Sequence, residues 1–379
     1  MAGKQSIAFV ANTSWSIYRF RLYLIERLLQ EGYTVFVLAP RDPYTAKFEH
    51  LPGLTYIQLF HLHAKNISPY RNLQLYRELL GYYRELRPGL IFHYTIKANL
   101  FGSLAARRAR IPAVSVITGL GYTFSVTGWL RLAVKLLYRR LLRTNAEIWF
   151  LNEDDRQIFI REKLAPREKT FLLPGEGVDT DEFFPAPYEE GKKEITFLFL
   201  GRLIGHKGIF EFVRAAELLR QKGLAVRCLL LGFFDDNDPL AIPRQQIEEW
   251  TNKGLVTYLG HTDRVAPFIE QADCIVLPSY RGEGMPLSLL EGASMCKALI
   301  AADTAGCRAI IEHGVNGFLC REKDGNDLAE KMSIYYHLPA GAKKQMGTAG
   351  RNRVLKHFTR DIIAGIYIDK IGTLVPHEY

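Results

Sequence analysis

The sequence predicts two α/β domains, each built on a parallel sheet. Short β-rich runs alternate with amphipathic stretches up to about residue 173, a Pro-, Gly- and acid-rich segment interrupts them (PGEGVDTDEFFPAPYEEGKK, 174–193), and the same alternation restarts at Glu194. In order, the first set of strands is expected at Ser6 to Asn12, Thr34 to Ala39, Thr55 to Phe60, Leu90 to Tyr94, Ala113 to Thr118, Glu147 to Leu151 and Thr170 to Leu173. The second set is expected at Glu194 to Leu200, Val226 to Leu231, Val256 to Leu259, Cys274 to Pro278, Ala298 to Ala302 and Phe318 to Cys320. The boundary is placed near Pro185, giving domains 1–185 and 186–360, with a C-terminal helix in 361–379 expected to pack back on the first domain. In such folds ligands bind in the loops after the strand carboxyl ends, so motifs there are read for chemistry first.

The chain's 379 residues suffice for two cores, and 48% hydrophobic with 23% charged residues is ordinary globular composition. No uncharged apolar run reaches the roughly 18 residues needed to span a bilayer, and the N-terminal stretch lacks a signal-peptide pattern, so a cytoplasmic protein is expected. Five cysteines with no CxxC spacing read as reduced thiols rather than a disulfide frame or a zinc site. Charge is unevenly divided. Residues 1–150 hold 20 Lys and Arg against 7 Asp and Glu, net +13, and the remainder 29 against 33, net −4. The basic half would attract nucleic acid, anionic headgroups or a polyanionic substrate.

Two motifs carry chemistry. Arg281-Gly-Glu-Gly-Met-Pro-Leu-Ser-Leu-Leu-Glu291 follows a strand, with Pro286 where a helix can begin, so Glu283 lies in the loop and Glu291 on the helix, roughly 7–8 Å beyond Pro286. Carboxylates bracketing a helix N-terminus suit a phosphate ligand flanked by hydroxyls; a solvated loop acid beside a dipole-favoured helix acid is the plainer alternative. Gly201-Arg-Leu-Ile-Gly-His-Lys207-Gly208 also follows a strand, and its glycines and two cations suit a diphosphate, although the P-loop spacing is absent.

Together with GVDTDEFFP, these motifs resemble the family 4 retaining glycosyltransferases of GT-B fold, two Rossmann-like domains facing a cleft, over essentially the whole chain. TSWSIYRFR, VFVLAPRDPYT and HTDRVAPFIEQADCIVLPSYRGEGMPLSLLEG are similar to bacterial transferases that add N-acetylhexosamines to undecaprenyl-diphosphate-linked sugars, N-acetylgalactosaminyltransferases of N-glycosylation among them. The resemblance implies that Arg202 and Lys207 hold the donor diphosphate, beginning at Gly201, that Glu291 binds the ribose hydroxyls and that Glu283 touches the transferred sugar. Gly284, Met285, Pro286 and Leu287 would line the sugar and phosphate pocket, and Glu283, Arg202 and Lys207 would serve catalysis. It implies retention by front-face attack with leaving-group assistance, since no carboxylate pair at the spacing of retaining hydrolases is visible. The UDP-sugar is then a substrate, and no cofactor is expected.

The sequence also departs from the family. Asn12-Thr-Ser-Trp-Ser16 stands where many relatives have a Gly-Gly loop, and Gly119-Leu-Gly121 where many have a histidine, leaving that histidine's role without a counterpart. The two glycines can instead admit a bulky acceptor. Lys97 and His93, in LIFHYTIKAN, end a first-domain strand: Lys97 is a candidate for an acceptor diphosphate and His93 for a proton shuttle, against a solvated lysine and a core-edge histidine. Ser16, Arg19 and Arg21 are acceptor candidates early in the first helix. Asp235-Asp-Asn-Asp238 is read as turn chemistry, so no metal is expected.

The acid-free stretch 128–143, with Trp129 and leucines at helical spacing among Arg131, Lys135, Arg139, Arg140 and Arg143, reads as an amphipathic helix. Such a helix can lie on an anionic bilayer or bury its stripe on the sheet. The expectation is a membrane-facing first domain, attached peripherally to the cytoplasmic face of the inner membrane, where a lipid-linked saccharide acceptor resides. No nucleic-acid partner is expected, because no helix-turn-helix, RNP pattern or zinc spacing is present and such a partner would leave the donor-site motifs unexplained. The functional expectation is transfer of a sugar, an N-acetylhexosamine by resemblance, from a UDP-sugar to a polyprenyl-diphosphate-linked saccharide. A UDP-N-acetylhexosamine 2-epimerase and a non-enzymatic basic polyanion binder stand as alternatives.

Overall fold

The computed structural model describes residues 6–62, 68–120, 129–189, 191–235, 238, 240–280 and 283–375, the side chains of 129–131 and 133 excepted. These form two compact units, 1–177 with 360–379, and 178–359.

The first unit is a seven-stranded parallel sheet. Its strands are β1 (Ser6–Val10), β2 (Thr34–Ala39), β3 (Leu54–Gln58), β4 (Leu90–Tyr94), β5 (Ala113–Ile117), β6 (Glu147–Phe150) and β7 (Thr170–Leu172), in the order β3-β2-β1-β4-β5-β6-β7. β4 and β5 are buried along their whole length, as strands covered by helices on both faces must be. α1 (Ser14–Gln30) starts where the Thr13 hydroxyl caps the Ser16 amide at 3.1 Å, and it buries Ile17, Leu24, Ile25 and Leu28 at helical spacing. α2 (Pro69–Leu86), α3 (Ser103–Ala109), α4 (Trp129–Leu141) and α5 (Glu153–Arg161) complete the crossovers.

The second unit is a six-stranded parallel sheet of β8 (Ile195–Leu200), β9 (Val226–Leu231), β10 (Thr257–Tyr258), β11 (Cys274–Leu277), β12 (Ala298–Ala302) and β13 (Gly317–Cys320), in the order β10-β9-β8-β11-β12-β13. Its helices are α6 (Ile209–Gln221), α7 (Arg244–Asn252), α8 (Ala266–Gln271), α9 (Leu287–Ser294), α10 (Ala305–Ile310), α11 (Gly325–His337) and α12 (Ala340–His357). Every strand expected from the sequence is present, and both sheets have the doubly wound Rossmann-like arrangement.

The units divide at Gly177–Val178 rather than near Pro185. The linker's composition is loop-like, but residues 174–177 stay with the first unit and Val178 to Phe183 are built into the second. The Val178 amide donates to the Phe358 carbonyl at 2.9 Å, Phe183 is buried, and its carbonyl accepts from Ser294 Oγ at 2.8 Å. The last helix, α13 (Arg360–Leu374), belongs to the first unit, where Tyr367 packs its ring 4.8 Å from Trp149 and 5.1 Å from Phe92, and Lys370 pairs with Glu147 at 2.6 Å. Cys228, Cys274, Cys307 and Cys320 are buried and Cys296 half-buried, all as free thiols.

Candidate active site

In each sheet the order reverses between two central strands, which opens a crevice at their carboxyl ends: between β8 and β11 in the second unit, and between β1 and β4 in the first. The donor candidates cluster at the first of these places, and Ser16, Arg19 and Lys97 lie at the second.

In the second unit the loop after β8 runs from Gly201 to Gly208. It is stitched to the loop after β9 by Leu203 N to Phe233 O at 3.0 Å and Gly205 N to Leu240 O at 2.7 Å. Gly208 has φ 81° and a Cβ there would stand 2.2 Å from the Pro278 carbonyl oxygen, so only glycine lets this loop abut the end of β11. That approach brings Lys207 Nζ onto Glu283 Oε1 as an ion pair, although 76 residues separate them. Ser279 Oγ donates to the same carboxylate oxygen at 2.7 Å. Burial alone would raise the Glu283 carboxyl, but Lys207, Ser279 and Arg202 outweigh it and hold it below the usual carboxylate range, so it is ionised at neutral pH.

Arg202 pairs with Asp235 at 3.1 Å and lies 3.9 Å from Asp238. The acidic turn thus doubles as the partner of a site arginine, a pairing that turn chemistry alone did not reveal. Glu291 sits on α9 and is buried; Pro286 is the N-cap residue of that helix, and its carbonyl accepts from the Leu289 amide at 3.2 Å. Gly284 and Pro286 are buried, Met285 and Leu287 half-buried. Gly306, in α10, has no room for a Cβ, which would lie 2.7 Å from the carbonyl oxygens of Glu283 and Gly284. Loops following β8, β9, β11 and β12 therefore converge on one polar cluster. Among the described residues no group of three or more His, Cys, Asp or Glu side chains is placed to hold a metal ion.

In the first unit Ser16 and Arg19 lie half-buried at the start of α1, after β1, and Lys97 lies half-buried after β4. Burial pulls the Lys97 ammonium below its ordinary pKa. Thr95, a β-branched residue, has φ 72°, and a π-helical turn over Ala98–Gly102 follows, two irregularities that concentrate at functional sites. Gly119, half-buried after β5, has φ 138°; Gly121 lies outside the described residues.

Two candidates are corrected. His93 is fully buried, its Nε2 is 2.9 Å from the Tyr83 hydroxyl, and burial lowers its pKa to about 3, so it is a neutral core histidine and not a proton shuttle. Arg21 is also buried, at 3% exposure, and cannot touch a ligand directly. Ser279 was missed altogether; the only sequence signal was a hydroxyl immediately past a strand and four residues before Glu283.

Comparison with known proteins accords with this geometry. Residues 180–353 match the model of glycosyl transferases group 1, and residues 19–175 that of the glycosyl transferase 4-like domain. The chain belongs to the GT-B glycosyltransferases of this group and is an enzyme of that class. It is 30% identical over 344 residues to the N,N'-diacetylbacillosaminyl-diphospho-undecaprenol alpha-1,3-N-acetylgalactosaminyltransferase of Campylobacter jejuni, covering 86% of this chain and 88% of the relative. It is 26% identical over 69% of its length to a UDP-Gal:alpha-D-GlcNAc-diphosphoundecaprenol alpha-1,3-galactosyltransferase of Escherichia coli, 70% of which is covered. The Anabaena protein HepE, solved in complex with UDP and glucose, has the same fold, with TM-score 0.79, 18% identity and coverage of 98% of this chain and 100% of that one.

Proposed function

We propose that the protein transfers an N-acetylhexosamine, with retention and without a metal ion, from a UDP-sugar to a polyprenyl-diphosphate-linked saccharide in bacterial glycan assembly. The observation that carries this reading is the convergence of Arg202, Lys207 and an ionised Glu283 at the crevice between β8 and β11. As the glycosidic bond breaks, negative charge gathers on the departing nucleotide diphosphate, and cations fixed beside it stabilise that state more than the ground state. Glu283, held by Lys207 and Ser279, accepts hydrogen bonds from the transferred sugar, and Glu291 accepts them from the ribose diol. The N-acetylhexosamine rests on the name of the Campylobacter relative, the lipid diphosphate on the names of the Campylobacter and Escherichia relatives, and UDP on the Escherichia relative and the HepE complex. The acceptor is assigned to the first unit, through Ser16, Arg19, Lys97 and the glycines after β5.

Attachment to the cytoplasmic face of the membrane is part of the proposal. On α4, Leu132, Leu136 and Leu137 are 61%, 53% and 41% exposed, while Tyr138 and Leu141 face the core. Exposed leucines beside Arg139, Arg140 and Arg143 suit an anionic lipid surface. Among the described residues no helix is long and apolar enough to cross a membrane.

Titration of UDP tests the donor assignment. Charge-assisted phosphate contacts contribute about 1.5–3 kcal/mol each, so Arg202→Ala and Lys207→Ala should each weaken UDP binding about 10- to 100-fold. Unchanged affinity in both variants would remove the assignment.

A further inference from the structure

α1 buries an otherwise apolar stripe of Ile17, Leu24, Ile25 and Leu28, yet Arg21 sits in its middle, 3% exposed. Arg21 Nη2 pairs with Glu176 Oε1 at 2.6 Å, and both side chains are out of solvent. Its Nη1 donates to the Ser16 carbonyl at 3.0 Å, and its guanidinium lies 3.7 Å from the centre of the Tyr94 ring. Its Nε has no hydrogen-bond partner among the described residues. Around the pair, the Tyr23 hydroxyl donates to the Glu176 carbonyl at 2.8 Å, the Tyr94 and Tyr367 hydroxyls are 3.0 Å apart, and Arg360 stacks over Tyr23 at 5.1 Å.

Such a pair is a costly way to fill a core. Burying two charges forfeits hydration that their attraction repays only in part, and an aliphatic residue at position 21 would continue the stripe. What the guanidinium achieves that a leucine cannot is contact with three segments at once. These are the first turn of α1, through the Ser16 carbonyl; the end of β4, through Tyr94, which leads directly into Thr95 and Lys97; and Glu176, the last residue but one before the chain leaves this unit. The first two flank the crevice between β1 and β4.

We propose that the Arg21–Glu176 pair is a positioning device for acceptor binding: it fixes the first turn of α1, bearing Ser16 and Arg19, relative to the β4 end, bearing Lys97. The inference rests on the reading that the first unit holds the acceptor. Arg21 does not touch substrate; its effect passes through the two segments it joins. Removing the joint loosens the spacing of groups that bind the acceptor and leaves the donor loops of the second unit unchanged.

The test compares Glu176→Ala and Glu176→Gln by steady-state kinetics with a lipid-diphosphate saccharide acceptor, alongside calorimetric titration of UDP. Glu176→Ala should raise the acceptor KM about tenfold with kcat and the UDP Kd within about twofold of wild type. Glu176→Gln, whose amide oxygen still accepts from Arg21, should recover most of that loss. Should Glu176→Ala not fold, Arg21→Lys carries the same expectation, because an ammonium lacks the fork that reaches Ser16 and Glu176 together. An unchanged acceptor KM, with only thermal stability lowered, overturns the inference whatever other variants do. Arg19→Ala and Lys97→Ala separate it from the reading beneath it. If these raise the acceptor KM and the Glu176 and Arg21 variants do not, the joint is structural. If the Glu176 variant alone raises it, the joint stands and the contacts assigned to Arg19 and Lys97 fall.

Discussion

Glu283 and Glu291 are both carboxylates close to one helix N-terminus, yet their surroundings differ. Glu283 lies in the loop and is tied to Lys207 and Ser279, whereas Glu291 is buried on α9. Their roles should differ accordingly. Glu291→Ala should weaken UDP and UDP-sugar alike, as loss of a ribose contact must, while Glu283→Ala should spare UDP and weaken the intact donor and turnover about tenfold or more. Titration of both ligands against both variants checks this, and equal losses on both ligands would contradict the division. Residue identity made these two acids visible in the sequence; their partners were less visible. Ser279 and Asp235 act through contacts that depend on loop closure, and His93 looks catalytic until Tyr83, ten residues away in sequence, is seen against its ring. A side chain at a strand's carboxyl end can point into the crevice or into the layer behind it, and residue type does not say which.

Elements were more legible than side chains. The strands stand out because burial on both faces demands near-continuous apolar runs, as in β8 and β12, and glycines mark the turns that follow. Helix faces were only partly legible. The leucines of α4 read as a single stripe, but the structure turns Tyr138 and Leu141 inward, onto a cluster with Leu100, Ile148 and Phe159, and leaves Leu132, Leu136 and Leu137 outside. That divided helix makes its own prediction. Binding to vesicles should rise with anionic lipid content and fall with salt, since each clustered cation near the surface contributes about 1 kcal/mol and the headgroup field decays over about 8 Å at physiological ionic strength. Reversing Arg140 and Arg143 to Glu should lower vesicle co-sedimentation and transfer to a long-chain acceptor while sparing a water-soluble short-chain analogue. Equal losses with both acceptors would make the helix structural, and no loss with either would place the lipid contact elsewhere.

For the molecule as a whole, the charge division parallels the proposed division of labour. The basic excess lies in residues 1–150, within the unit proposed to face the membrane and the lipid diphosphate, and the donor cluster, whose Arg202 and Lys207 are each matched by a carboxylate, lies in the other unit. Two cores of similar design were predictable from the repeated rhythm. The division at Gly177 was not, because a loop-like composition does not reveal that Val178 and Phe183 are buried in the second core. One measurement tests the whole account most directly: the purified protein incubated with UDP-N-acetylgalactosamine, other nucleotide sugars in parallel, and an undecaprenyl-diphosphate-linked saccharide, with the lipid glycan and the donor analysed by mass spectrometry and NMR. The account predicts an acceptor heavier by one N-acetylhexosamine in α linkage, formed from the UDP-sugar, unaffected by EDTA and lost in Lys207→Ala. An epimerised donor with unchanged acceptor, or transfer from a GDP- or ADP-sugar with none from UDP-sugars, would contradict it.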